Sequence, residues 1–186
     1  MRSILVVLAL VLGAGCASPP ALMRPVDSVL FRPVAAHFDV AGRLAARNGD
    51  AAVSGRFTWQ HGPRSDRWDF FSPLGQVVAR LSNADGTATL TLPDGTQYVE
   101  PVAPLLSRML GMEVPVSALP RWLQAGVVAR EDVREVDAVG RPRRIVEQGW
   151  QIRYPGYASD DPDALPRIIE LSRGDAHLKL ILDAWQ

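Results

Sequence analysis

The chain of 186 residues has few of the side chains on which enzymes and metal sites depend. It holds one cysteine and three histidines, and His37, His61 and His177 have no carboxylate or second ligand at a spacing typical of catalysis or metal binding. It has no Gly-x-Ser-x-Gly elbow, phosphate-binding glycine loop or His-Glu-x-x-His motif. The acidic stretch at 160–163 lacks the glycine and the distal glutamate of a calcium loop. We therefore expect no enzymatic activity, no metal and no cofactor.

An excess of charge of either sign is also absent. The chain has 20 basic and 20 acidic residues, interspersed along the sequence, and a formal net charge of zero. Without a basic stripe or an acidic tail, nothing in the sequence favours a nucleic acid as partner. The composition, with 47% hydrophobic residues, is typical of one globular domain.

The first apolar run, from Ile4 to Leu12, is too short to cross a bilayer, because a transmembrane helix needs about 20 apolar residues. The run follows Arg2 and precedes small residues, which is the pattern of an export signal. The sequence therefore predicts a signal peptide over residues 1–15.

Cys16 is the only cysteine, and in an oxidising compartment a single thiol is expected to pair with another chain or to be modified. The preceding Gly13, Ala14 and Gly15 resemble the lipobox of bacterial lipoproteins, although the lipobox usually has leucine where this chain has Gly13. In such proteins the cysteine is diacylated, the chain is cut before it and the new amine is acylated. We expect lipidation at Cys16; the alternative is a plain signal peptide followed by an incidental cysteine. Ala17 replaces the aspartate that commonly retains enterobacterial lipoproteins in the inner membrane, which favours the outer membrane.

The next segment is rich in proline, with prolines at positions 19, 20, 25 and 33. Prolines favour an extended tether, with at most a short helix around residues 27–32. We assign residues 16–36 to the lipidated N-terminus and tether, and residues 37–186 to a single domain.

Period-two alternation begins at Phe38 and predicts a sheet. In the first strand one face carries apolar or small residues: Phe38, Val40, Gly42, Leu44 and Ala46. The stretch VSGRFTWQH alternates in the same way, and the NGD between the two predicts an antiparallel hairpin. Further alternating segments follow at short intervals, so we expect a meander of about ten or eleven strands.

Two segments between residues 102 and 126 have helical periodicity instead. VAPLLSRMLG places Gly111 at the predicted C′ position, and VSALPRWLQAG has Ser117 as predicted N-cap and Gly126 as predicted stop. A long meander with one apolar face curls to bury that face. The predicted fold is mainly β (α+β), a curved antiparallel sheet forming a half-barrel around short helices. Periodicity does not decide whether its interior is packed or holds an apolar cavity.

The turn Ser-Pro-Leu-Gly at 72–75 carries a large apolar side chain where polar residues are typical. Pro73 fixes φ and Gly75 permits a positive φ, so a short turn would hold Leu74 at its tip. Either Leu74 points outward, or it folds back against Phe71 or Val77.

In order and spacing, these segments resemble the LolB family of outer-membrane lipoproteins. The likeness covers most of the chain after the signal peptide and rests on FDVAGRLAAR, SGRFTWQ, SPLG, LPDGTQY, LLSRMLGMEVPVSALPRWLQAG, QGWQIRYPGY, LPRIIEL and LKLILDAW. The proline-rich entry departs from the family, which usually has a helix there.

The resemblance implies an incomplete β-barrel covered by helices, with an apolar cavity for the acyl chains of lipoproteins. It implies a receptor that accepts acylated lipoproteins from a LolA-type periplasmic carrier and inserts them into the inner leaflet of the outer membrane. The receptor would be anchored through Cys16 on the periplasmic face and would contact outer-membrane phospholipid, and we expect it to be a monomer. In this family the loop matching Pro73, Leu74 and Gly75 carries an exposed leucine associated with membrane insertion.

The bulky inward residues are candidates for the wall of the acyl-chain cavity, and ordinary core packing is the alternative for each of them alone. They are Phe38, Leu44, Phe57, Trp59, Trp68, Leu106, Met109, Trp122, Trp150, Ile152 and Tyr154.

Two other functions compete with this interpretation. One is a lipid-anchored scaffold of an envelope assembly complex, which would use a sheet edge or an apolar patch as its interface. The other is a lipid-anchored hydrolase, for which the sequence offers no recognisable nucleophile and base.

Overall fold

The computed structural model describes residues 28–186, which form eleven antiparallel strands and two short helices. The strands are β1 Phe38–Asn48, β2 Ala51–His61, β3 Ser65–Phe71, β4 Val77–Ala84, β5 Thr87–Thr91, β6 Gln97–Glu100, β7 Val133–Val136, β8 Pro142–Glu147, β9 Trp150–Tyr157, β10 Pro166–Arg173 and β11 Ala176–Trp185. All of them belong to one sheet, in the order β6-β5-β4-β3-β2-β1-β11-β10-β9-β8-β7.

This sheet confirms the predicted half-barrel. Its edges are β6 and β7, and within residues 28–186 no ladder joins these two strands to close the sheet. The predicted first hairpin is also confirmed, since β1 and β2 pair from Phe38 with His61 to Asn48 with Ala51. Only β7 has no counterpart among the predicted strands, because two register shifts against β8 break its period-two pattern.

Two helices lie between the two halves of the sheet in the chain, α1 at Val102–Leu110 and α2 at Leu119–Leu123. As predicted, α1 is followed by Gly111 with a φ of +69°, and the N–H of Gly111 bonds the carbonyl of Ser107. α1 packs on β4, β5 and β6. No helix in the described part of the chain is both long and apolar enough to cross a membrane.

The predicted ends of α2 are wrong at both termini. Ser117 lies inside a 3₁₀ turn, Val116–Ala118, and α2 begins after Ala118 without a side-chain cap. At the other end Ala125, with a φ of +53°, leaves the helix before Gly126 is reached. Gly126 is needed for a different reason, because a Cβ there would overlap the side chains of Val34 and Arg121.

Burial along the strands follows the predicted alternation. In β1 the side chains of Phe38, Val40 and Ala46 are buried, and those of Arg43 and Arg47 are exposed. The same alternation in the other strands gives the sheet an apolar concave face, which the helices cover, and a polar convex face.

The turns of this meander collect at two opposite ends of the sheet. The loops at 49–50, 72–76, 92–96, 148–149 and 174–175 share one end, since their flanking strands pair in register with one another. The other end holds the first residue of β1 and the turns at 62–64, 137–141 and 158–165. We call the first the loop end and the second the entry end.

The predicted signal peptide, Cys16 and residues 17–27 lie outside the described residues. Residues 28–36, which the sequence analysis assigned to the tether, lie against the domain near its entry end. The N–H of Leu30 bonds the carbonyl of Gly140 at 2.7 Å, and Arg32 bonds the carbonyl of Ala164 at 2.8 Å. The N–H of Ala35 bonds the side-chain oxygen of Gln124, just after α2, at 2.8 Å.

Candidate functional site

An apolar cavity lies between the concave face of the sheet and the two helices. Its lining consists only of leucine, phenylalanine and tryptophan side chains: Leu44, Phe57, Trp59, Trp68, Phe70, Leu106, Leu110, Leu119, Leu123, Leu178 and Leu180. Its volume is about 40 Å³, well below the roughly 150 Å³ of a protein cavity that binds benzene. A wall of this composition offers an acyl chain dispersion contacts and no hydrogen bonds.

Five of the predicted wall residues line this cavity: Leu44, Phe57, Trp59, Trp68 and Leu106. The other six do not line it: Phe38, Met109, Trp122, Trp150, Ile152 and Tyr154. Four of these six pack beneath the opposite half of the sheet, where the rings of Trp122 and Trp150 lie 6.4 Å apart and Tyr154 donates a hydrogen bond to the carbonyl of Trp122. Phe38 packs at the entry end against Trp59, His61 and Trp185. Alternation identifies which residues point inward, but not which half of a curved sheet they reach.

Six lining residues were not among the candidates: Phe70, Leu110, Leu119, Leu123, Leu178 and Leu180. Signals for them are present in the sequence. Phe70 alternates with Trp68 on β3, Leu178 and Leu180 alternate on β11, and Leu119 and Leu123 lie on one face of α2. Leu110 follows Leu106 by four residues and so lies on the same face of α1.

A polar network fixes α2 over the cavity. Both nitrogens of the Arg121 fork bond the Glu147 carboxylate on β8, and the indole N–H of Trp122 donates to the same carboxylate at 2.9 Å. Burial alone would raise the pKa of Glu147, but the hydrogen bonds from Arg121 and Trp122 outweigh it and hold the pKa below its usual value. The carboxylate therefore stays ionised and ties α2 to the sheet.

A second polar cluster positions Trp59 in the cavity wall. The indole N–H of Trp59 donates to Asp66 at 2.9 Å, the ring of His61 contacts the same carboxylate oxygen at 2.6 Å, and Asn83 donates to the other oxygen at 3.3 Å. The expectation that His61 lacks a carboxylate partner is therefore wrong, because the pairing of β2 with β3 places His61 opposite Asp66. The cluster holds the Trp59 ring stacked on Trp68, with the ring centroids 5.2 Å apart.

The loop at 72–76 presents Leu74 to solvent. The Leu74 side chain is 90% exposed, so the alternative in which it folds back against Phe71 or Val77 is wrong. The N–H of Gly75 bonds the carbonyl of Ser72 at 2.9 Å, and Gly75 has a φ of +83°. This is a turn followed by a left-handed residue, which is a common three-residue hairpin loop.

A second loop in the chain, Pro93-Asp94-Gly95, has the same backbone geometry. The N–H of Gly95 bonds the carbonyl of Leu92 at 3.0 Å, and Gly95 has a φ of +86°. Here the tip residue is Asp94, whose carboxylate accepts the N–H of Thr96 at 2.9 Å. The same turn thus folds with a polar tip, so the backbone does not require a leucine at position 74.

Within residues 28–186 no group of three or more histidine, cysteine, aspartate or glutamate side chains is arranged to hold a metal ion. In the acidic loop at 158–165 the backbone carbonyls are bound by arginines instead. Arg141 donates to the carbonyls of Ser159 and Asp161, and Arg32 donates to that of Pro162.

Comparisons with known proteins agree with this geometry. A family model described as outer membrane lipoprotein LolB matches residues 36–185. An outer-membrane lipoprotein LolB from an Azoarcus species is 41% identical over 100% of this chain and 96% of that relative. One from Thiobacillus denitrificans is 37% identical over 92% of this chain and 90% of its own length.

Among solved structures, a LolA superfamily protein from Nitrosomonas europaea is similar in fold. It has a TM-score of 0.51 and 9% sequence identity, and the match covers 87% of this chain and 90% of that chain. That likeness concerns the fold alone, whereas the family model and the sequence relatives show that the chain belongs to the LolB family of outer-membrane lipoproteins.

Proposed function

We propose that this chain accepts acylated lipoproteins from a LolA-type carrier and inserts them into the inner leaflet of the outer membrane. As a LolB-family member it is an outer-membrane lipoprotein that acts in lipoprotein localisation, a trafficking function and not an enzymatic one. The observation that carries the proposal is the pairing of an apolar cavity with a fully presented Leu74 on one small domain. The scaffold alternative is not favoured, because it explains neither feature.

The need for such a protein follows from the cost of exposing acyl chains to water. Burial stabilises a chain by about 0.8 kcal/mol per methylene, or roughly 12 kcal/mol for about sixteen carbons. An acylated lipoprotein therefore does not cross an aqueous compartment unaided. Because the sequence has no nucleotide-binding motif, the transfer runs downhill, from the carrier to this receptor and from the receptor to the bilayer.

The cavity is so small that it must widen before an acyl chain can enter. An acyl chain of about sixteen carbons needs many times the volume of 40 Å³, so the helices move away from the sheet when a chain enters. α2 is tied to the sheet mainly by the Arg121–Glu147 pair and by Tyr154, whereas the sheet is held by continuous ladders. The helices are therefore the movable wall, and reclosure of the apolar contacts drives the chain out towards the bilayer.

Leu74 acts at the delivery step. Burying one leucine in a bilayer contributes only roughly 1.5 to 3 kcal/mol, too little to anchor a protein. The anchor is the acylated Cys16, and Leu74 enters the headgroup region of the periplasmic leaflet to bring the receptor against the bilayer as a monomer. Pro73 and Gly75 keep the loop short, so that the side chain projects.

The test separates acceptance from delivery. Leu74→Asp reproduces the Pro-Asp-Gly loop of 93–95, so it should fold normally, accept a labelled lipoprotein from the carrier and lose most delivery into liposomes. Val128→Asp is the matched control, because Val128 is another exposed apolar side chain, with 69% exposure. Normal delivery by Leu74→Asp, or an equal loss in both variants, would contradict the role of Leu74.

A further inference from the structure

We propose that Arg43 and Arg56, beside the Leu74 loop, bind the phosphate groups of anionic phospholipids and so orient the loop on the bilayer. The inference rests on the proposed function, because it assumes that the Leu74 loop meets a membrane. It adds a headgroup class and a second contact that the loop alone does not supply.

The two arginines lie on the same face of the sheet as the loop. Arg43 on β1 pairs in register with Arg56 on β2, and Arg56 pairs with Phe71, the last residue of β3 before the loop. Arg43, Arg56, Asp183 and Pro73 border one shallow depression on the convex face. Residues directly opposite each other in antiparallel strands have Cβ atoms about 5 Å apart, so the two arginine side chains start from neighbouring positions next to the loop.

The positive charge of Arg43 and Arg56 is only partly neutralised by acidic side chains. Asp183 is the acidic partner of Arg43, at 2.9 Å, and the side chains of Arg43 and Asp183 remain 52% and 37% exposed. The side chain of Arg56 forms no hydrogen bond or ion pair with any residue in the described range 28–186, and neither does the side chain of the nearby Arg167. The hydrogen bond from Arg43, and then the charges of Arg43, Arg56 and Arg167, lower the pKa of Asp183, which is the effect of excess positive charge.

Such an arrangement is unfavourable in the isolated protein, since like charges directly opposite each other in a sheet repel. An anionic ligand removes the repulsion. The guanidinium groups present paired N–H donors that match a phosphodiester, and both arginines are exposed beside the Leu74 loop. An exposed leucine that enters the headgroup region beside arginines that meet phosphates is the pattern of a membrane-surface contact, which favours a bilayer over an acidic protein.

The experiment uses the mature chain from position 16 onward with Cys16→Ala, so that no acyl group contributes to binding. Its partition onto phosphatidylcholine vesicles is measured with and without phosphatidylglycerol, at low and high salt. We expect phosphatidylglycerol to strengthen binding, salt to weaken it, and Arg56→Gln to reduce binding to the anionic vesicles about fivefold. Asp183→Asn, which frees Arg43, should strengthen binding by a similar factor.

Arg153→Gln is the matched control. Arg153 is another exposed arginine without a carboxylate partner among residues 28–186, and it lies on β9, four strands from β2 and so about 19 Å away. Equal losses for Arg56→Gln and Arg153→Gln would mean a diffuse charge effect and would overturn the proposal. It would also be overturned if Arg56→Gln weakened acceptance from the carrier but left vesicle binding unchanged, since the ligand would then be an acidic protein surface.

Failure here is distinguishable from failure of the proposed function. Delivery into phosphatidylcholine liposomes that depends on Leu74 tests the function without any anionic lipid. If Leu74→Asp blocks that delivery and Arg56→Gln leaves phosphatidylglycerol binding unchanged, only the headgroup inference is wrong.

Discussion

At the scale of single residues, the tips of two loops with the same backbone conformation carry side chains of opposite polarity. Leu74 and Asp94 occupy the tips of two loops with the same backbone, and only Asp94 bonds its own loop. The contrast indicates that the leucine serves something outside the chain. Glu147 is the opposite case, because its carboxylate is used entirely inside the chain, by Arg121 and Trp122.

Glu147→Gln should destabilise the protein in a pH-dependent way. Removing the carboxylate leaves Arg121 partly buried without its counter-charge, and we expect a loss of about 1 to 3 kcal/mol in the free energy of unfolding at pH 7. Since the pKa of Glu147 is lowered in the folded state, its stabilisation is present above the unfolded pKa of about 4.3 and is lost as the pH falls through the folded pKa. Urea unfolding of both proteins at pH 7 and below pH 4 checks this, with Glu113→Gln as an exposed control; a difference that does not shrink in acid would contradict it.

At the scale of elements, the two halves of the sheet have different roles. The inner faces of β1, β2, β3 and β11 line the cavity, whereas β8 and β9 bury Trp150, Ile152 and Tyr154 in a packed core without contact to it. We therefore propose that one half accepts an acyl chain, while the other half holds the fold.

A brominated acyl ligand tests this division, because bromine quenches tryptophan fluorescence on contact. We expect Trp68→Phe to lower the quenched fraction and Trp150→Phe to leave the quenched signal intact, since Trp68 lines the cavity, as Trp59 does, and Trp150 does not. Quenching that disappears with Trp150→Phe instead would move the acyl site to the other half of the core. Urea unfolding of both variants shows whether each has kept its fold.

At the scale of the whole molecule, the loop that carries Leu74 and the described residues that follow the proposed tether are at opposite ends. The strand that leads from the entry end to this loop is β3, whose seven residues span about 23 Å. Residues 17–27 span at most about 40 Å when fully extended, so under our proposal the chain between Cys16 and the domain is long enough for Leu74 and an acylated Cys16 to meet one bilayer.

Shortening this segment should therefore uncouple the two steps. Deleting residues 19–24 leaves a span of about 18 Å at most, and we expect the lipidated variant to accept lipoprotein from the carrier but to deliver it poorly to the membrane that holds it. Replacing the same six residues with a glycine-serine stretch of equal length is the control and should restore delivery. Delivery that is unaffected by the deletion would show that Leu74 does not need to reach that membrane.

Local sequence determined much of this protein. Alternation from Phe38 onward, the turn residues between strands and Gly111 after α1 each depend on neighbours in the chain, so the half-barrel and most of its elements were predictable. So was the anomaly of Leu74, because a hairpin tip with a large apolar residue is visible in four letters.

Tertiary structure decided what joins residues far apart in the chain. The two-residue period of a strand indicates whether a side chain points inward or outward. The curvature of the sheet and the packing of the helices determine that Phe70 and Leu180 face the cavity while Trp150 does not. The Arg121–Glu147 pair, the contact of His61 with Asp66 and the meeting of Arg43 and Arg56 beside Pro73 likewise depend on strand register and packing. The spacing of residues in the sequence does not show which side chains strand pairing will bring together. The lining of the cavity and the polar contacts that support it could therefore be identified only in the folded molecule.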